Sequence, residues 1–170
     1  PLSVRGWGPG AGAAFAPDGA RGAASDTSGV RIVSVAGGPA RTGGLSHAAL
    51  AFTPPGKVLA GGRDGTIALL DESTAEVWKD EAEDRVRALA VSGSRFLSAE
   101  SGDGSKLVQL RDVAPGKLLE SLEGHTGTVL AVAFSEDGKG AVSAGTDAVM
   151  SWSFATRAGK RFPVPRGVVA

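Results

Sequence analysis

Four short apolar runs recur along this 170-residue chain, ending at the anchor positions Phe15, Phe52, Val91 and Phe134, which lie 37, 39 and 43 residues apart. A period near 40 residues constrains the fold more than any single motif, because one supersecondary unit must be repeated and stacked. Each anchor precedes a polar turn: APDG at 16–19, TPPG at 53–56, SGS at 92–94 and SEDG at 135–138. Proline presets φ and glycine or aspartate accepts φ > 0, so these read as hairpin turns. A strand of small residues follows (22–25, 58–61, 96–99, 141–144). Next comes a turn acid, Asp26, Asp64, Asp103 or Asp147, between 11 and 13 residues after its anchor. A third strand (30–35, 66–70, 106–111, 149–154) and a more polar fourth one, such as 117–120 or 161–164, close each unit. The expected fold is all-β, one domain over 1–170, with repeats near 7–44, 45–82, 83–123 and 124–165.

Helical spacing is scarce. The best candidate, Asp80–Ala90, is short, and Val86–Val91 fits the first strand of the third unit better. Residues Lys79–Arg87 then read as a solvated loop leading into that strand. The 26 glycines suit a chain with many tight turns. Eighteen basic and 18 acidic residues cancel, so nothing in the charge suggests a general attraction for nucleic acid or anionic membrane. The chain has no cysteine and two histidines, which excludes disulfides and thiolate sites and makes a zinc site improbable. No metal and no other cofactor is expected. No apolar run approaches the ~18 residues of a spanning helix. The first residue is Pro1, not Met, which leaves processing or excision open. The compartment stays unassigned, with the cytoplasm favoured.

The last unit, 123–160, carries the most specific signature. Gly124-His125, the SEDG turn, Ser143, Asp147 and Trp152 stand at spacings that resemble the WD40 repeat of β-propeller proteins. The resemblance implies that His125, Asp147, Ser143 and Trp152 form one hydrogen-bonded chain within a blade. A buried carboxylate needs such partners in any case. The other units keep the turn acid but not the rest of the signature. Aliphatic residues, roughly Val33, Leu69 and Leu110, take the Trp position, and His47 falls out of register.

Four units account for the whole length, whereas WD40-like propellers typically have seven or eight blades. An open arc of four leaves an apolar face at each end. Pairing with a second copy, membership of a longer propeller, or docking on a different subunit would each cover those faces, and the first two rank above a closed ring of four. Residues Leu2–Arg5 align with the fourth-strand segment 117–124 and are expected to close a blade, in cis or in trans.

The turn acids sit in different units, too far apart for one ligand cage, and read as carboxylates that accept backbone N–H bonds. His125, Ser143 and Asp147 have the composition of a Ser-His-Asp triad, but no nucleophile elbow surrounds Ser143. The glycine-rich GPGAG at 8–12 and Gly61-Gly62 lack the context of a phosphate loop. The acidic run Asp80, Glu81, Glu83 and Asp84 is a candidate surface for a basic protein partner, and Trp78 and Trp7 are candidate contact residues. Arg157, Lys160, Arg161 and Arg166 either meet an anionic group or keep an edge strand soluble. The functional expectation is a non-catalytic protein–protein interaction scaffold, a subunit of a larger assembly or a homodimer, with no nucleic acid and no membrane insertion. The alternative is a small-ligand-binding or catalytic propeller that uses an axial funnel. It is disfavoured because the first strands are Ala, Val, Leu and Phe alternating with small residues.

Overall fold

Each anchor run folds as the first strand of an antiparallel meander in the computed structural model, which describes residues 12–26, 28–37, 41–43, 49–102 and 106–163. Blade 1 comprises β1 (Ala13–Phe15), β2 (Arg21–Asp26), β3 (Gly29–Ser34) and β4 (Arg41–Gly43). Blade 2 comprises β5 (Ala49–Thr53), β6 (Lys57–Gly61), β7 (Thr66–Leu70) and β8 (Glu76–Glu81). Blade 3 comprises β9 (Val86–Ser92), β10 (Arg95–Ser101), β11 (Lys106–Asp112) and β12 (Leu118–Leu122). Blade 4 comprises β13 (Val129–Phe134), β14 (Gly140–Gly145), β15 (Ala148–Ser153) and β16 (Ala158–Pro163). Strands pair in chain order within each sheet, and no helix occurs among the described residues. The domain is all-β, with propeller-like blades.

The alternation of side chains along each strand gives every blade two faces. On the second strand, Gly22, Val58, Phe96 and Ala141 lie opposite the four anchors. Val58, Phe96 and Ala141 face the preceding blade. The next residues along the strand in blades 1 to 3, Ala23, Leu59 and Leu97, face the following one. Three apolar seams result. Ala23, Val30 and Ile32 meet Phe52, Val58 and Leu70 between blades 1 and 2. Leu59, Ile67 and Leu69 meet Val86 and Phe96 between blades 2 and 3. Leu97, Val108 and Leu122 meet Ala141, Met150 and Trp152 between blades 3 and 4. Each fully buried Leu or Phe contributes about 1.5–3 kcal/mol, so hydrocarbon contact dominates blade-to-blade adhesion. Gly61 permits one of these seams, since a Cβ there would run into Val86.

The register corrects three sequence expectations. Val33 does hold the Trp152 position, opposite Gly22, but in blades 2 and 3 the residues opposite Val58 and Phe96 are Leu70 and Arg111. Leu69 and Leu110 point to the other face. The third unit also keeps more of the signature than the turn acid, because Ser98 occupies the register position of Ser143. Finally, Lys79–Arg87 is not one loop. β8 extends through Glu81, pairing Asp80 with Ile67 and Glu81 with Thr66, and only four residues separate it from β9. Charged residues sit on this strand because it is the outermost of its sheet and one of its faces is wet.

Candidate functional site

The last blade brings His125, Asp147, Ser143 and Trp152 together. The loop between β12 and β13 supplies His125, the turn after β14 supplies Asp147, and β14 and β15 supply Ser143 and Trp152. His125 Nδ1 lies 2.7 Å from Asp147 Oδ1, and Nε2 lies 2.8 Å from Ser143 Oγ. Trp152 Nε1–H donates to the same Oγ at 2.9 Å. Against an ionised Asp147 the Nδ1 nitrogen carries a proton and donates; in the Nδ1–H tautomer Nε2 accepts the Ser143 hydroxyl while Oγ accepts the indole N–H. Gly145 makes this approach feasible: a Cβ there would stand 2.7 Å from Asp147 Oδ1 and 2.9 Å from His125 Nδ1.

Burial is the largest influence on Asp147 and opposes its ionisation. The Thr126 backbone N–H at 2.8 Å and the His125 hydrogen bond together outweigh it, holding the carboxyl well below the usual carboxylate range. Arg161 on β16 adds an ion pair at 3.0 Å and donates to the Gly124 carbonyl at 3.0 Å. Of the basic residues near the end of the sequence, Arg161 therefore does meet an anionic group, and that group is internal.

Sequence reasoning missed a second polar cluster, in blade 3. Glu100 is fully buried, and its carboxylate accepts the Ser98 hydroxyl at 2.6 Å and the Glu83 backbone N–H at 3.0 Å. Arg111 lies 4.0 Å from it, donates to Gln109 Oε1 at 3.0 and 2.7 Å, and pairs with Asp80 at 2.8 Å. Burial pushes the Glu100 carboxyl up, against the Ser98 bond that pulls it down. The one signal available in the sequence was the alternation within RFLSAES and KLVQLRD, which puts Ser98, Glu100, Gln109 and Arg111 on one face and Leu97, Ala99, Val108 and Leu110 on the other.

The remaining candidates are placed individually. Asp26 accepts the Ser28 N–H at 2.7 Å and Asp64 the Thr66 N–H at 3.0 Å, both as turn carboxylates. Trp78 is half-buried: its indole N–H donates to the Val113 carbonyl at 2.8 Å, and its ring stacks on Phe96 at 6.2 Å. Gly116, at φ 70°, carries the chain past that ring, which would stand 3.0 Å from a Cβ. Trp78 thus closes a seam between blades. Asp80 is tied to Arg111, Asp84 accepts the Arg85 N–H at 2.7 Å, and Glu81 and Glu83 are exposed. Asp103, Trp7, His47, Arg166 and the 2–5 segment lie outside the described residues. Among the described residues, no group of three or more His, Asp or Glu could hold a metal ion.

Comparison with known proteins agrees with this geometry. Residues 116–152 match the family model for the WD domain, G-beta repeat. No curated protein sequence matches the chain. Among solved structures it is similar to Kuenenia stuttgartiensis hydrazine synthase, with a TM-score of 0.75 and 18% identity over 90% of this chain. It is also similar to U3-55K, with a TM-score of 0.76 and 20% identity over 89% of this chain. The chain spans about half the length of these two, 53% and 51% respectively. Residues 116–152 are a WD repeat, set at the end of a four-bladed arc with the fold of a β-propeller.

Proposed function

We propose that this chain is a non-catalytic scaffold that holds protein partners on a rigid arc of blades. One observation carries the reading: the only Ser-His-Asp constellation among the described residues is sealed. Ser143 is 1% exposed, and its oxygen is already engaged by the Trp152 N–H and by His125. A nucleophile needs an open approach to its oxygen, and the burial of Ser143 beneath Trp152 and His125 denies one. The constellation instead welds three strands and a loop into one unit. The strands nearest a funnel offer little chemistry either. The first strands of the blades, β1, β5, β9 and β13, contain one ionisable residue, Arg87, whose guanidinium donates to the Ser101 carbonyl at 3.0 Å.

The surface left for partners lies on the connections between blades. Between blades 2 and 3, the exposed carboxylates of Glu81, at the end of β8, and of Glu83, in the connection that follows, would steer a basic partner. The catalytic alternative is tested with a fluorophosphonate probe on the native chain, followed by intact mass measurement. No adduct is expected, whereas covalent labelling at Ser143 would end the non-catalytic reading.

A further inference from the structure

Three exposed apolar side chains stand on the outer rim of the two middle blades: Val77 on β8, and Leu118 and Leu119 on β12. Blade 2 has blades 1 and 3 packed on its two faces, and blade 3 has blades 2 and 4, so burial by neighbouring blades is already complete there. Val77 and Leu119 hold equivalent places. Each is the extra residue of a β-bulge, skipped between Glu76 and Trp78 or between Leu118 and Glu120. A bulge re-aims side chains, and both of these are turned to solvent, at 46% and 47% exposure.

β8 is the outermost strand of its sheet. Ala82 N–H donates to the Gly65 carbonyl at 2.8 Å, in line with the register of β7 and β8. Bonded and non-bonded pairs alternate along an antiparallel ladder, so Trp78 and Asp80 spend their backbone groups on β7, while Lys79 and Glu81 turn theirs outward. Among the described residues, no backbone group outside β7 bonds to β8. The two sides of this edge differ. Trp78 and Asp80 look toward blade 3, where Arg111 crosses to Asp80 at 2.8 Å and Leu118, paired with Arg111 in register, is 42% exposed. On the other side stand Glu76, Lys79 and Glu81, in register with Leu70, Ala68 and Thr66. Residues 71–84 hold seven acids and one base. Asp71, Glu72, Asp80 and Asp84 have internal partners, whereas the exposed carboxylates of Glu76, Glu81 and Glu83 form no ion pair among the described residues.

We propose that β8 accepts a fifth strand from a partner protein, an extended segment in which apolar and basic residues alternate. The inference rests on the scaffold reading above and gives its partner a chemistry. Main-chain bonds to Lys79 and Glu81 supply the pairing, as in other complexes where a peptide extends a sheet. The apolar side chains of the added strand fall on the blade 3 side, against Leu118, and the basic ones on the opposite side, near Glu76 and Glu81. Charge selects the occupant. A second copy's β8 would set carboxylates against carboxylates, which cross-strand pairs disfavour, so the edge repels its own kind and admits a basic strand.

The test is fluorescence anisotropy of a labelled peptide of alternating Lys and Val, titrated with the native chain beside a peptide of alternating Glu and Val. Saturable binding of the Lys peptide, weakening as salt is added, is expected, with the Glu peptide about tenfold weaker or more. Amide hydrogen exchange of the native chain should slow at Lys79 and Glu81 when the Lys peptide is present. Lys79→Pro removes an N–H that β7 does not use, which suits an edge position. It should weaken binding about tenfold or more with the β circular dichroism intact. Glu81→Lys leaves the backbone alone, should also weaken binding of the Lys peptide, and serves if the proline variant fails to fold. No binding of the Lys peptide, equal binding of the two peptides, or slowed exchange confined to another strand would each overturn the docking edge. So would a native chain that self-associates and is returned to a single chain by Lys79→Pro, since a second copy would then hold the edge. Those outcomes are independent of the probe on Ser143. Labelling there defeats the scaffold reading and leaves the titration untouched, and a peptide that fails to bind defeats the docking edge and leaves the scaffold.

Discussion

Blades 3 and 4 place a serine at the same register position, Ser98 and Ser143, and then build opposite kinds of polar cluster on it. In blade 4 the serine joins an imidazole to an indole, and the charge stays at one end, on Asp147, where Thr126 and Arg161 also reach it. In blade 3 Arg111 takes the register position of Trp152, and the serine donates to a buried Glu100. The charged cluster also crosses a seam: Asp80 belongs to blade 2, and Glu83 to the connection from it. Blade 4 therefore uses polar bonds to hold itself together, while blade 3 uses them to hold blade 2. The comparison teaches that a polar side chain buried at this position must be satisfied and that more than one chemistry does it, while blades 1 and 2 place Ala24 and Ala60 there instead.

The comparison breaks most easily at Arg111. Arg111→Ala leaves Glu100, Gln109 and the Gly116 carbonyl without their cation, and removing one member of a buried charged set typically costs about 3–5 kcal/mol. Urea denaturation should show that loss, and a cost below ~1 kcal/mol would mean that the cluster does not hold the seam. Asp147→Asn is next. Its hydrogen bonds are made by the charged form and are worth about 2 kcal/mol at neutral pH. The folded carboxyl is held below its unfolded value, so its contribution is present above an unfolded value of about 4 and is lost as pH falls through the folded one. The variant's stability between pH 6 and pH 3 should therefore fall less steeply than that of the native chain. Ser143→Ala should cost about 1.5 kcal/mol, because His125 Nε2 and the Trp152 indole lose their common partner. Ser98→Ala should cost less, about 1 kcal/mol, since Glu100 keeps the Glu83 N–H. Thermal or urea unfolding of the two serine variants side by side checks the order, and a reversed order would remove the distinction between the clusters.

The blades were legible in the sequence because the anchors and turns obey local rules. Phe15, Phe52, Val91 and Phe134 end alternating runs, and each turn carries Pro, Gly or Asp where its backbone needs it. The blade 4 cluster was legible because Gly124-His125, Ser143, Asp147 and Trp152 fall within one repeat. The blade 3 cluster was not. Its members are 31 residues apart at the extremes, Asp80 to Arg111, and become neighbours only when two sheets pack. Register was misjudged by one residue at Leu69 because β7 is apolar on both faces, and at Leu110 because the residue at the Trp152 position in β11 is the charged Arg111. TIALL carries no alternation to count. The role of Trp78 was equally hidden, since its partner Val113 is 35 residues away.

The smallest expected effect is also the sharpest, because its sign differs between the two blades. Burial holds the Glu100 carboxyl above its ordinary value, so the folded state prefers the neutral form more than the unfolded state does. The stability this residue contributes is then complete below an unfolded value of about 4.3 and is lost as pH rises through the folded one, the reverse of Asp147. Glu100→Gln fixes the side chain in a neutral form. Its carbonyl can accept the Glu83 N–H, and its amide can donate to Ser98 Oγ, whose hydroxyl proton rotates away. The remaining cost is an amide facing Arg111 at about the present 4.0 Å. The expected change at pH 7 lies within about 1 kcal/mol of zero, in either direction, while near pH 4 the variant and the native chain should coincide. Stability curves across that range, read beside those of Asp147→Asn, decide the matter. If Glu100→Gln instead costs as much as Arg111→Ala at pH 7, then Glu100 is ionised and blade 3 is bound to blade 2 by a true buried ion pair.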